Sequence, residues 1–315
     1  MSTFKMVRTV FVFALTLITA LTLSSCSSPG YGTDANPKTS KYLLDNFVSG
    51  EYLDPFGTNS PDVGATMEAL VQLSGVGNQD KLTKSVEWLK SNTDLLKIPG
   101  LKGTYLFTAR ALGFSDDPTV AKELAELKKS IAEDGTVADT NNFSTCWVIL
   151  GLVASGETDL ANRVASKLVF LSEADGGYKY IKGDPDSNAA ADVTGFAIMA
   201  FKATETLGTS EDQAAKSFAV GKAKNWLIAN REPGQFWLGY GDLDISGTAY
   251  ATMALGSVGE KIDDSVKWLQ TQVNEKDGGV VAPWNAPDSD IFSTTQSILA
   301  MSKLNFIDVL NKTAK

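Results

Sequence analysis

Residues 263–301 read DDSVKWLQTQVNEKDGGVVAPWNAPDSDIFSTTQSILAM. The stretch joins an aromatic-Leu pair (Trp268-Leu269) to a glycine turn (Asp277-Gly278-Gly279), and then to an apolar run closing at Ala300-Met301. Worked outward, this pattern recurs along the chain, and a fixed repeat of this length is the signature of a repetitive helical architecture. Six segments close on similar pairs: Ala69-Leu70, Ala111-Leu112, Gly151-Leu152, Ala200-Phe201, Ala254-Leu255 and Ala300-Met301. Seven residues before the end of each pair stand Val63, Tyr105, Thr145, Thr194, Thr248 and Thr294. The aromatic-Leu signature returns as Trp88-Leu89, Phe170-Leu171 and Trp226-Leu227. The turn returns as Asp134-Gly135, Asp175-Gly176-Gly177 and Pro233-Gly234, with Ser49-Gly50 and Pro99-Gly100 in its place in the first two, degenerate units.

The two helices of a unit differ in character. KLTKSVEWLKS around Trp88 sets Leu82, Val86 and Leu89 against lysines, whereas VTGFAIMAF around Ala200 is apolar on every face. A one-sided helix covers a core and an all-round apolar helix lies inside it. The first helix of each pair is therefore predicted to be outer and the second inner. Small residues at the inner starts (Gly64, Ala65, Gly195, Gly247, Ala249) allow neighbouring backbones to approach. Six inner helices are expected to close into a ring. An open solenoid is the competing arrangement.

Composition limits the chemistry. The 315 residues include no histidine and two cysteines, with 37 Asp and Glu against 28 Lys and Arg. Without histidine there is no Ser-His-Asp triad, no Cys-His dyad and no His-ligated zinc. The net charge of −9 argues against nucleic acid, whose phosphates need a basic surplus.

The N-terminus reads as an address. Lys5 and Arg8 precede an apolar run from Val10 to Leu23, short for a membrane span. It ends in Leu23-Ser24-Ser25-Cys26, which resembles the bacterial lipobox, whose cysteine is lipidated. The resemblance implies an extracytoplasmic protein anchored to the cell membrane through lipid at Cys26. The expected division is a signal peptide over 1–25, a flexible linker over 26–40 and a helical body over 41–315. With Cys26 lipidated, Cys146 has no partner for a disulfide, and its apolar neighbours predict a buried, inert thiol.

The repeats resemble those of the α/α-toroid superfamily, which includes squalene and other terpene cyclases, protein prenyltransferase β subunits, complement thioester domains and cobalamin carriers. The resemblance rests on Trp268-Leu269…Asp277-Gly278-Gly279…Asp290, on Asp175-Gly176-Gly177…Asp192, and on Trp226-Leu227…Gly234-Gln235-Phe236-Trp237, which is similar to the cyclases' Gln-Trp motif. It implies an all-α fold, an (α/α)6 toroid with inner and outer rings. The superfamily's catalytic signatures are missing. Asp242-Leu243-Asp244-Ile245 is the nearest match to the cyclases' Asp-x-Asp-Asp and lacks its last acid. The prenyltransferase Asp-x-Cys is replaced by Asp244-Ile245-Ser246 and Asp290-Ile291-Phe292, and Cys146 is not followed by the thioester sequence. No metal and no cofactor are implied, and the candidate catalytic residues reduce to Asp242 and Asp244.

What remains is a ring of Asp62, Asp192, Asp244 and Asp290 at predicted inner-helix starts, with Tyr178, Tyr180, Trp237, Tyr240 and Trp284 in nearby loops. An Asp in that place also caps backbone amides, an effect worth about 1 kcal/mol. The functional expectation is a mouth that binds an unidentified small molecule or surface partner through Asp62, Tyr178, Asp192, Trp237, Tyr240, Asp244, Trp284 and Asp290. The alternatives are a divergent terpenoid cyclase, a carboxylate-based glycan-active enzyme, and a scaffold whose ring is plugged.

Overall fold

The computed structural model describes residues 33–312 apart from 140, 182 and 240. The expected leader, Cys26 and Tyr240 lie outside the described residues. The described chain is helical: α1 (Pro37–Asp45), α2 (Val63–Gly75), α3 (Thr83–Ser91), α4 (Pro99–Leu112), α5 (Pro118–Lys129), α6 (Asn142–Ala154), α7 (Thr158–Val169), α8 (Ala191–Ala203), α9 (Ser210–Ala229), α10 (Ile245–Ser257), α11 (Asp263–Thr271), α12 (Ile291–Met301) and α13 (Phe306–Lys312). Two short antiparallel hairpins, absent from the sequence expectation, precede inner helices. Strand β1 (Trp237–Gly239) pairs with β2 (Asp242–Asp244), and β3 (Val280–Val281) with β4 (Ser289–Asp290).

Local chemistry sets the helix starts. Proline opens α1, α4 and α5, where a missing N–H costs nothing. Asp62, Asp244 and Asp290 cap α2, α10 and α12. Thr209 and Asp212 close a reciprocal capping box on α9. Two sequence readings are corrected here. Pro99-Gly100 begins α4 instead of forming a turn; Gly100 is buried in the first turn of the helix, against Ser144. Phe170 does not take the aromatic place of its unit. It follows the end of α7 and is 74% exposed.

Helices α2, α4, α6, α8, α10 and α12 are buried almost all round, and each packs on the next. The ring closes, because α12 packs on α2. At that seam the Leu299 amide donates to Gln72 Oε1 at 2.8 Å, and Leu299 presses so close to Gly75 that a Cβ there would sit 2.5 Å from it. The α4–α6 crossing is tighter still: a Cβ on Gly151 would lie 2.3 Å from Gly103 O. Helices α1, α3, α5, α7, α9 and α11 bury one face each and form the outer layer. Outer and inner layers are pinned by ion pairs such as Lys102–Glu123 at 2.5 Å, with the carboxylate 2% exposed. The buried Lys216 ammonium donates to Asn162 Oδ1, Thr204 O and Leu207 O, satisfying acceptors that would otherwise be orphaned.

The axis of the ring is filled. Phe107 of α4, Trp147 of α6, Phe196 of α8 and Tyr250 of α10 converge on Phe306, the first residue of α13. Ring centroids in this cluster stand between 4.8 and 6.0 Å apart, in edge-on and tilted arrangements, the geometry aromatic quadrupoles favour. Phe143 continues the stack toward the end where the inner helices begin.

Candidate functional site

The inner-helix starts share one end of the ring, and a small group of acids sits just inside it. Three of the four aspartates named from sequence are caps. Asp62 Oδ1 accepts from the Ala65 amide at 2.8 Å, Asp244 Oδ1 from Gly247 at 2.9 Å and Asp290 Oδ1 from Ser293 at 2.7 Å. Asp192 is different. Helix α8 starts at Ala191, so Asp192 stands within the first turn, 6% exposed, with Oδ1 on the Val193 amide. Its Oδ2 accepts from the Tyr180 hydroxyl.

The structure adds a residue the sequence reading passed over. Glu68 of α2 is 8% exposed and accepts from the Tyr250 hydroxyl at 2.6 Å, across the ring from α10. The side chains of Gln72 and Gln296 also bond to it. Burial pushes the Glu68 carboxyl up to about 7, against the pull of these donors, with a further small push from the Asp192 charge. Asp192 is raised to about 6, first by burial and then by the neighbouring Asp244 charge. Asp244 is itself raised by burial. Desolvation of this size comes from water exclusion, and like charges nearby add to it. Near neutral pH Glu68 is therefore partly protonated, and the group can both donate and accept hydrogen bonds.

Around the acids the surface mixes polar and apolar groups. Ser246 donates to Gln296 Oε1, and both side chains keep some exposure, as do Asp244 and Phe292. Phe56 packs on Phe292 at 5.3 Å and is 71% exposed. The loops entering the inner helices also expose Ile98, Ile181, Leu238 and Trp284. The rim of the mouth is thus apolar and its floor acidic.

The other sequence candidates are placed as follows. Trp284 is on the rim, 63% exposed, in the loop before α12. Asp242 is exposed at the start of β2. Tyr178 and Trp237 are corrections: they are 0% and 1% exposed. Tyr178 packs on Phe201, and the Trp237 indole donates to Leu227 O. Both backbone amides are held by inner-helix threonines, Thr194 and Thr248, which draws these rings into the core. The signal for Glu68 was weak: among the six inner helices it and Asp192 are the acids, but a mid-helix Glu one turn before Gln72 also suits an exposed face. Cys146 is fully buried, and desolvation raises its thiol far above the usual range.

No protein-family profile matches this chain, and no curated protein sequence matches it. Solved structures do. The type II terpene cyclase MstE from Scytonema superposes with a TM-score of 0.65 at 15% identity, covering 85% of this chain and 96% of the cyclase. Haptocorrin in complex with Cbi gives 0.60 at 10% identity, covering 89% of this chain and 70% of that one. The GH76A α-1,6-mannanase from Salegentibacter sp. gives 0.60 at 12% identity, covering 85% and 97%. At these identities the likeness is one of fold: the chain has the α/α-toroid fold of these proteins.

Proposed function

We propose that the protein is a non-catalytic capture module that holds a hydroxyl-rich ligand, of the surface-glycan class, at the mouth of the toroid, and that lipid on Cys26 tethers it outside the cytoplasmic membrane. The observation carrying this reading is the filled axis. Aromatic rings run from Phe306 to Phe143, so a ligand meets the acidic floor and apolar rim from outside and does not thread the ring. Partly protonated carboxyls with amide and hydroxyl neighbours suit neutral polyols, and exposed rings such as Phe56 and Trp284 suit the apolar faces of sugars. The same packing weighs against a polyprenyl substrate, which needs an apolar cavity. A ligand-bound protein and a mannan-cleaving enzyme share this fold, haptocorrin in complex with Cbi and the α-1,6-mannanase.

One observation favours a second reading, a glycan-cleaving enzyme: Glu68 at about 7 and Asp192 at about 6 lie where a general acid works near neutral pH. The test is incubation with mannans and cell-wall glycans, followed by capture assay and mass spectrometry of the glycan. Retention of intact glycan supports capture. Shortened products that disappear in both Glu68→Gln and Asp192→Asn support the enzyme. Neither retention nor products leaves the scaffold reading. Cys26→Ser is expected to move the protein from the membrane fraction to the soluble one.

A further inference from the structure

One place in the toroid is built differently from its equivalents, and the difference leaves a hole. Under three of the Gly turns the backbone rests directly on an outer helix. A Cβ on Gly176 would lie 2.7 Å from Lys222 O, one on Gly278 2.7 Å from Lys38 O, and one on Gly135 2.4 Å from Arg163 O. These contacts align the outer helices α9, α1 and α7. Four residues further along each stand Trp226, Tyr42 and Lys167. Beneath Gly176 and Gly278 that aromatic ring fills the space, so close that the residue after the turn glycine must itself be glycine: a Cβ on Gly177 would meet Trp226 at 2.6 Å and one on Gly279 would meet Tyr42 at 2.8 Å. Trp88 and Trp268 pack on Tyr52 and Phe236, which follow the turns at Gly50 and Gly234.

At the α7 unit the ring is missing. Lys167 replaces it and Thr136 replaces the glycine. The polar bond to the turn survives: Lys167 Nζ donates to Asp134 Oδ2 at 2.7 Å, where the Trp226 indole donates to Asp175 Oδ2 at 3.1 Å. The volume of the ring does not. A cavity of about 230 Å³ remains, walled by Thr136, Thr145, Lys167, Leu168, Leu171 and Ile181. For scale, an apolar cavity of roughly 150 Å³ is enough to take up benzene. A second difference points the same way. Thr194, Thr248 and Thr294 each accept the amide of the incoming loop, at 2.8–3.1 Å. Thr145 holds the same place in α6, yet among the described residues its hydroxyl donates to Asn141 O and accepts from no loop amide. An acceptor is left facing the cavity that lacks its ring.

We infer that this cavity between α6 and α7 is a binding site for a small, uncharged planar aromatic molecule carrying one N–H or O–H donor, the ring taking the place that Trp226 fills in the sister unit and the donor reaching Thr145 Oγ1. The site lies away from the acidic floor, meets the rim of the mouth at Ile181, and does not depend on what the mouth binds.

The probes are indole and benzofuran, which has the same shape without the donor, titrated against the whole protein by calorimetry and ligand-observed saturation-transfer NMR. The wild type is expected to bind both, indole more tightly. Lys167→Trp, combined with Thr136→Gly to admit the ring, refills the space and is expected to abolish saturation transfer to either probe while raising the melting temperature. Thr145→Val is expected to weaken indole about fivefold, the worth of one neutral hydrogen bond, and to leave benzofuran unchanged. If circular dichroism shows the Lys167→Trp, Thr136→Gly protein unfolded, Leu171→Trp fills the cavity from its wall and is expected to block both probes in the same way. Absence of indole binding to the wild type, binding that survives a folded cavity-filling variant, or an unchanged indole-to-benzofuran ratio in Thr145→Val would overturn the inference.

Discussion

Glu68 and Asp192 are the residues whose energetics depart most from their sequence appearance. Each has a folded pKa above its unfolded value, so each ionises less readily in the folded protein. The stability they allow is fully present below the unfolded value, near pH 4, and is lost as pH rises through about 6 for Asp192 and about 7 for Glu68. Glu68→Gln keeps an acceptor for the Tyr250 hydroxyl and removes the ionisation. Its stability relative to wild type is expected to rise between pH 4 and pH 8 by on the order of 3 kcal/mol, measured by urea unfolding across that range. A pH-independent difference would mean that Glu68 is not desolvated as described. Asp62, Asp244 and Asp290 were legible because capping has a positional signature, and Asp192 because it recurs with them at a helix start. Glu68 was not, because a mid-helix acid reads as surface until the burial of its whole face is known. Tyr178 and Trp237 were misplaced for the converse reason. Loop residues read as exposed, and only the threonine bonds to their backbone amides show the loops turning inward.

At the scale of elements, the inner-outer alternation was readable from periodicity, because an all-round apolar helix has one place to go. The register of single side chains was not. The Phe170-Leu171 pair matched the aromatic-Leu signature by composition, but backbone contact beneath Gly135 sets Lys167-Leu168 in that place. Helix spacing supplies a sharper test of the packing. Gly151→Ala drives a methyl group into Gly103 O at the α4–α6 crossing and is expected to destabilise by about 1–3 kcal/mol. Gly221→Ala on α9 meets nothing within 4 Å and is expected to stabilise by about 0.5–1 kcal/mol. Thermal unfolding of the pair checks both signs, and equal effects would contradict the close crossing. Helix α13, whose role as a plug nothing in its seven residues announces, acts through Phe306. Phe306→Ala leaves a hole among four rings, and calorimetry is expected to show a loss of about 3–5 kcal/mol.

For the whole molecule, six buried helices closing on themselves produce a disc with two unlike ends. One end is sealed by α13. The other gathers the capped helix starts, the desolvated acids and an apolar rim. Closure explains why function has so little sequence signature: the residues that meet at the mouth come from all round the ring, with Glu68 and Tyr250 182 positions apart. The measurement that bears most directly on this arrangement is glycan retention by three variants side by side: Phe56→Ser with Trp284→Ser on the rim, Gln296→Ala on the floor, and Phe306→Leu at the sealed end. Retention should fall at least about tenfold in the rim and floor variants and stay at the wild-type level in Phe306→Leu. Retention indifferent to the rim and floor but lost in Phe306→Leu would mean that the ligand enters the axis, and the filled hub would not be the state that binds.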